Sequence, residues 1–443
     1  MGCGCFVFGR AAAFCIFFKF TRNIDMKKII SVLLCAALTL GIMSGCNAEA
    51  VSEGEKEKSM PLEWIEEPQS YEDYLNNAKI TSLTQLGNTY RLKKAMDKAR
   101  AGETVNIAYI GGSITEGDIL QPEERYVNRT YNYFKEKFGK GDGENVQFFN
   151  AGFRGTGSKL GALRLEDDVL SHQPDIVFVE YAVNDGGDPS DKDGFESIIR
   201  TCLEYETQPA VILLFARMDN GGSSQDWKKE IGEYYDVSMI SYADGITYLM
   251  DNGAMTWAEF SDDYTHPNAH GGEVIAEFIN YFYDEADRLP ASESDIVIPE
   301  LMFDGYYVNA HLLTKNNYEL TDETKGSWKK GSTGDHFPNG WTKSFSEENE
   351  PIVFEFTGKD AYVIHPQAGN QTYGTLVCNV YFNDELVVTK EILEYSEGGW
   401  MAAIPVELYH APEEGEYRIE FTASEDYVKC DLQILAVGYT TVD

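Results

Sequence analysis

Ser113 follows the apolar run 107–110 and a pair of glycines in the stretch V-N-I-A-Y-I-G-G-S-I-T-E-G, residues 105–117. Such a run suits a buried strand and is too short for a buried helix. Gly111 and Gly112 then permit a sharp turn, because a residue without Cβ reaches backbone angles closed to others. A serine at that apex exposes its hydroxyl beside backbone N–H groups that can bind an anion. The Gly-x-Ser-x-Gly elbow works on the same logic, although that motif is absent. Alone, Gly-Gly-Ser reads equally well as an ordinary turn or a phosphate loop.

A proton acceptor for Ser113 is offered by Asp263-Tyr264-Thr265-His266-Pro267. An imidazole can take the serine proton while a carboxylate orients it. Asp263 and His266 stand three apart before a helix and can meet locally; adjacent Asp262 is disfavoured by spacing alone. The plain alternative is a helix cap followed by a surface histidine. His266 and His270 are four apart, but the His-Glu-x-x-His pattern is missing, and neither a metal nor a cofactor is expected. Two more strand-end loops complete the set. In Asn150-Ala151-Gly152-Phe153-Arg154-Gly155-Thr156, the glycines suit a backbone N–H brought close to a substrate oxygen. In Glu180-Tyr181-Ala182-Val183-Asn184-Asp185-Gly186, the Asn184 amide could reach the same oxygen or form an Asx turn.

Over roughly residues 104–289 these four stretches, in this order, resemble the SGNH or GDSL-type serine hydrolases. The four letters match Ser113, Gly155, Asn184 and His266. The resemblance implies a three-layer α/β/α fold with Ser113 as nucleophile, His266 as general base and Asp263 as its orienting partner. It implies an oxyanion hole built from the Ser113 N–H, the Gly155 N–H and the Asn184 side chain. The family's Gly-Asp-Ser-Leu is here Gly111-Gly112-Ser113-Ile114, and its Gly-x-Asn-Asp is Ala182-Val183-Asn184-Asp185. These departures weaken transfer from lipases and thioesterases; Gly-Gly-Ser-Ile-Thr is more similar to bacterial carbohydrate esterases of the superfamily.

The elements that must hold these residues alternate. Strands are expected at 146–149, 176–181, 211–215 and 237–242, with helices at 84–101, 126–138, 159–171, 195–205, 227–235 and 272–289. That rhythm predicts βαβ crossovers and a mostly parallel sheet, with functional loops beyond the strand carboxyl ends. From about residue 292 short strand-like runs between turn residues predict an all-β sandwich, with hairpins at Asn383-Asp384 and Glu414-Gly415. Trp328, Trp341 and Trp400 in that region could stack on sugar rings or fill its core. Arg154, Arg217 and Glu180, near strand ends, are candidates for substrate contact or for structural ion pairs.

Composition narrows the partners. With 36 basic and 73 acidic residues the formal charge is −37, which excludes a nucleic-acid partner and disfavours anionic polymers. Met26-Lys27-Lys28, the apolar run 29–42 and Met43-Ser44-Gly45-Cys46 resemble a bacterial lipoprotein signal, with Met26 as initiator and Cys46 as the lipidated residue. An uncleaved anchor is the alternative, although the run is short for a full span. Removing residues 1–45 (five basic, one acidic) leaves 31 basic and 72 acidic residues, or −41. The expected organisation is a signal at 1–45, a flexible tether at 46–75, a hydrolase domain at 76–290 and a β-sandwich at 291–443. Cys378 and Cys430 are either a disulfide pair or two free thiols.

The resemblance and the export signal together imply an exported esterase removing acyl groups, above all O-acetyl, from an oligo- or polysaccharide. Membrane attachment would run through the lipid anchor alone. Lipid or arylester hydrolysis on the same fold, and glycan binding by a surface lipoprotein with a degenerate site, are the competing readings.

Overall fold

The computed structural model describes residues 60–331, 336–337, 340–425 and 430–442. The export signal and Cys46 lie outside the described residues. Among the described residues no helix is long and apolar enough to cross a membrane.

The first sheet contains β1 (Leu83–Gln85), β2 (Val105–Gly111), β3 (Val146–Gly152), β4 (Ile176–Glu180), β5 (Ala210–Phe215) and β6 (Ser238–Ser241) in the order β1-β6-β5-β4-β2-β3. All neighbours are parallel except β1, which pairs antiparallel with β6 at the edge. Strands β2, β4 and β5 carry almost unbroken apolar runs because helices cover both faces. Helices Tyr126–Phe138 and Ala269–Arg288 pack together on one side; Ser158–Leu163 and Pro189–Glu204 pack together elsewhere. The chain steps from β2 outward to β3 and then returns to β4 on the other side. Strand order therefore reverses between β2 and β4, where a crevice opens at the carboxyl ends.

Several expected elements differ. The predicted helix 84–101 begins only at Tyr90, since Leu83–Gln85 is taken up as the edge strand beside β6. The predicted tether to residue 75 is corrected from residue 60 onward. Ser70 caps the helix Tyr71–Ser82 in a reciprocal capping box with Asp73, and Asn77 binds both backbone groups of Ile65. The Ser-x-x-Asp spacing was a readable signal for that helix. The predicted helix 159–171 is split into Ser158–Leu163, Leu165–Asp168 and a short turn at Leu170–His172.

The later part of the chain is antiparallel. Its main sheet joins β7 (Ala310–Leu313), β10 (Ile352–Ala368), β11 (Thr375–Phe382), β12 (Glu385–Leu393), β13 (Trp400–Ala423) and β15 (Ala436–Thr440), in the order β12-β11-β13-β10-β15-β7. A small sheet of β8 (Lys329–Lys330), β9 (Trp341–Lys343) and β14 (Leu432–Ile434) packs on one of its faces. Trp328 and Trp341 fill the core between the sheets, so core filling is the outcome for these two. Asn383 and Asp384 both adopt positive φ and turn β11 into β12, as expected of this pair. Glu414-Gly415, by contrast, makes no hairpin. From Gly358↔Gly415 to Asp360↔His410, β13 spends five steps against two on β10, so the extra residues bulge out of one continuous ladder. Cys378 is buried and Cys430 half-buried, and both are free thiols.

The other face of the main sheet joins the hydrolase core. Alternation along β10 sends Val363 toward the small sheet, whereas Tyr362 and Ile364 belong to the same apolar cluster as the parallel sheet. Ala310, Leu312, Ala403 and Ala436 do likewise. From residue 60 onward the described residues form one compact unit. Carboxylates fasten the connection: Asp193 accepts the Gly305 and Tyr306 amides, and Glu196 accepts those of Met302 and Phe303.

Candidate active site

Ser113 opens a four-residue helical turn, Ser113–Glu116, directly beyond β2. Gly112 has φ −85°, so the glycine pair is not explained by left-handed backbone. Space is the reason instead. A Cβ on Gly112 would lie 2.3 Å from the Asn184 Oδ1, and one on Gly111 would lie 2.2 Å from the Thr115 hydroxyl.

The Ser113 Oγ is 2.9 Å from His266 Nε2, and His266 Nδ1 is 2.7 Å from Asp263 Oδ2. The second Asp263 oxygen accepts the Thr265 and His266 amides, each at 2.6 Å. Partial burial pushes the Asp263 carboxyl up, but those amides and the imidazole outweigh it and hold it below the usual carboxylate range. Asp262 is 3.3 Å from the Asn268 amide instead. Around this loop the Ser261 hydroxyl meets the Asp263 and His266 carbonyls at 2.9 and 2.5 Å, and Asn268 caps the helix that follows. His270 faces Glu273 at 3.7 Å. Among the described residues no cluster of His, Cys, Asp and Glu could hold a metal ion.

The loop after β3 wraps around the Ser113 turn. The Phe153 amide donates to Gly111 O at 2.9 Å and the Arg154 amide to Glu116 Oε2 at 2.9 Å. Gly155 then adopts φ +68°, in the left-handed region, with the Trp400 ring lying against it. A Cβ there would stand 2.3 Å from the ring's Cζ2. Gly155→Ala therefore meets both a backbone penalty and a clash. We expect a loss of about 100-fold or more in kcat, the size seen when one oxyanion donor is displaced. Adding Trp400→Ala should restore only part of it, because the backbone penalty remains; full recovery in steady-state kinetics would refute the role of φ.

Trp400 is the first residue of β13 and 54 % exposed. The antiparallel region thus supplies an aromatic face at the predicted oxyanion loop, which sequence distance alone could not reveal. Beside it, Arg154 pairs with Glu116 at 3.4 Å and Asp118 at 2.9 Å. His336 stacks on Phe153 with centroids 3.7 Å apart and meets Glu116 at 3.3 Å. Burial pushes the Glu116 carboxyl up, yet His336 and Arg154 together bring it below its usual range. Arg217 bonds Thr247 and the carbonyls of Met218 and Asp219. Arg154 and Arg217 are thus engaged in protein contacts.

Sequence reasoning missed the buried supports Arg164 and Lys228, and offered Glu180 only as a substrate contact or an ion pair. Arg164, 2 % exposed, brings its Nη2 to Ala151 O at 2.6 Å, the Tyr181 hydroxyl at 3.1 Å and Gly111 O at 3.3 Å. One guanidinium thereby ties together the ends of β2 and β3 and the start of the loop after β4. Asp185, next to Asn184, accepts the Ser158 amide at 2.9 Å and pairs with buried Lys228 at 2.5 Å. Burial pushes the Lys228 ammonium down to about 8, opposed by Asp185. Thr115 donates to Glu180 at 3.2 Å beneath the nucleophile. The available signal was charge inside apolar surroundings, as in Leu-Gly-Ala-Leu-Arg164-Leu.

A serine–imidazole–carboxylate chain at the strand-order reversal of a parallel α/β sheet is the arrangement of a serine hydrolase. Residues 109–274 match the model of the GDSL-like Lipase/Acylhydrolase family. No curated protein matches the chain. Among solved structures, a two-domain esterase (CEX) active on acetylated mannans is 25% identical with a TM-score of 0.70, over 82% of this chain and 99% of that one. The same description co-crystallized with mannopentaose gives 23% identity and a TM-score of 0.69, over 82% and 98%. The similarity extends through both the hydrolase and the antiparallel region.

Proposed function

We propose that this protein is an exported serine esterase that removes O-acetyl groups from carbohydrate, with a mannan-type glycan as the leading substrate. The Ser113–His266–Asp263 chain carries the reading, joined by an exposed aromatic ring beside the oxyanion loop. In the proposed cycle Ser113 Oγ attacks the ester carbonyl as its proton passes to His266 Nε2. The Ser113 and Gly155 amides and the Asn184 side chain receive the oxyanion. Asn184 Oδ1 is buried without a hydrogen-bond partner, which leaves the amide's NH₂ as the end able to donate. The imidazolium gives the proton to the departing sugar oxygen, which leaves as the hydroxyl, and a water deprotonated by His266 then releases acetate. Similarity to the acetyl-mannan esterase over both regions supports the substrate class.

The test is acetate release from acetylated mannan by protein starting at residue 47, beside initial rates on p-nitrophenyl esters of increasing chain length. Release from the polymer with a preference for acetyl is expected; faster long-chain turnover with the polymer untouched would move the protein to lipid esters. In the same assay Trp400→Ala should keep its aryl acetate rate and raise KM for the glycan about tenfold, the order expected when one aromatic anchor is truncated. An unchanged KM would remove Trp400 from the substrate site.

Export and lipidation at Cys46 belong to the same proposal, supported by the charged start, apolar centre and small residues before the cysteine. Labelled palmitate should enter the full chain in a bacterial host and be lost in Cys46→Ala. Equal labelling of both would refute the anchor.

A further inference from the structure

Glu180 is a carboxyl with zero exposure that the hydrolytic cycle does not use. It ends β4 directly beside β2, where Glu180 pairs with Gly111. Its Oε2 accepts from Thr115, two residues after Ser113 in the same helical turn, and Thr115 is in turn 2.8 Å from the Tyr126 hydroxyl. Its Oε1 is buried and has no hydrogen-bond partner. An ionised carboxylate in such a place leaves charge uncompensated, at a cost of several kcal/mol. Protonation removes that charge and leaves the Thr115 bond in place.

We propose that Glu180 is a positioning residue for the nucleophile, held as the neutral acid and supporting Ser113 through Thr115. The inference rests on Ser113 being the nucleophile. The groups facing Glu180 agree with a neutral form. Tyr126 comes from the helix after the nucleophile and Tyr242 from the helix after β6; both phenols are pushed far up and stay neutral. Lys228, on the helix Gln225–Tyr234, is already matched by Asp185 at 2.5 Å. Burial raises the Glu180 carboxyl to about 7; Thr115, the Ala182 amide and Lys228 oppose this, and Asp185 adds to it. Relative to an unfolded carboxyl at 4.5, the folded form gains a proton. Its stabilising contribution is therefore complete at acid pH and lost as pH rises through about 7.

The experiment follows the rate at which a fluorophosphonate labels Ser113, with pH varied from about 5 to about 9. In the wild type the rate should fall on the alkaline side as Glu180 ionises. Glu180→Gln, which is neutral at every pH, should label as fast as the wild type on the acid side of this range and lose that alkaline fall. Glu180→Ala should label about 100-fold more slowly throughout, the cost of displacing a reacting atom by about 1 Å. Thr115→Val breaks the contact through which Glu180 acts on Ser113, so it should flatten the alkaline limb as Glu180→Gln does; this arm stands if the Glu180 variants do not fold. An alkaline limb unchanged in Glu180→Gln or in Thr115→Val would overturn the proposal. A wild type that takes up no label at Ser113 would instead refute the nucleophile itself, which is a separate and visible outcome.

Discussion

Ser113→Ala should lower turnover of an acetylated oligosaccharide by about a millionfold, the scale on which a serine hydrolase loses its nucleophile. The size follows from what remains. His266 would keep Asp263 at 2.7 Å, but it would have no hydroxyl to deprotonate. The oxyanion donors would persist and leave a residual rate above that of water. Folding should be unaffected, because the hydroxyl's recorded partner is His266, a residue one-third exposed, so no buried polar group is stranded. Equal thermal melting, intact glycan affinity and lost acetate release would together place the defect in chemistry. Retained turnover would mean that another group attacks the ester.

Asp263→Asn is the second large effect, about 10⁴-fold in kcat. The local geometry says why so small a change costs so much. Asp263 Oδ1 accepts two backbone amides at 2.6 Å, so the single oxygen of an asparagine must stay there. Its NH₂ then replaces Oδ2 opposite His266 Nδ1 and turns that nitrogen into an acceptor. The ring proton moves to Nε2, facing Ser113, where a base is required. Acid has the same target by another route. Because Asp263 is held below the usual carboxylate range, its support of the loop is present above the unfolded value of 3.8 and disappears as pH falls through the lower folded value. The variant should therefore be defective at every pH, whereas in the wild type the Asp263 contribution is lost only in strong acid. Rates restored in Asp263→Asn at alkaline pH would argue against a tautomer defect.

Much of this was legible from residues close in sequence. Asp263 and His266 lie three apart and meet through their own loop, so spacing sufficed. The strands 107–110 and 176–181 announced themselves because parallel strands buried on both faces are apolar throughout. What could not be read depends on contacts between distant segments. Trp400 reaches Gly155 across some 245 residues, and nothing near either residue records the meeting. Arg164 looked like an ordinary charge and Glu180 like a substrate contact or an ion pair, because their role is set by which strand ends surround them. The Glu414-Gly415 pair has hairpin chemistry, yet the uninterrupted partner strand β10 converts it into a bulge. Leu83–Gln85 has helical neighbours on both sides and becomes an edge strand because β6 offers it unpaired backbone groups.

The shared apolar face of the antiparallel sheet bears on how the protein comes into being. Strand β15 lies between β10 and β7, and its Ala436 reaches the same core as the parallel sheet. A nascent chain can build the parallel sheet early, but the surface under Tyr362 and Ile364 stays bare until residues more than 300 positions beyond Ser113 have arrived. During that interval the half-made hydrolase presents apolar surface to any chaperone or export machinery it meets. Severing the two regions would recreate the same exposure permanently. Trp400, against Gly155, and Ser113 are therefore bound into one folding event, and a lineage could not discard the antiparallel region without first re-covering that face.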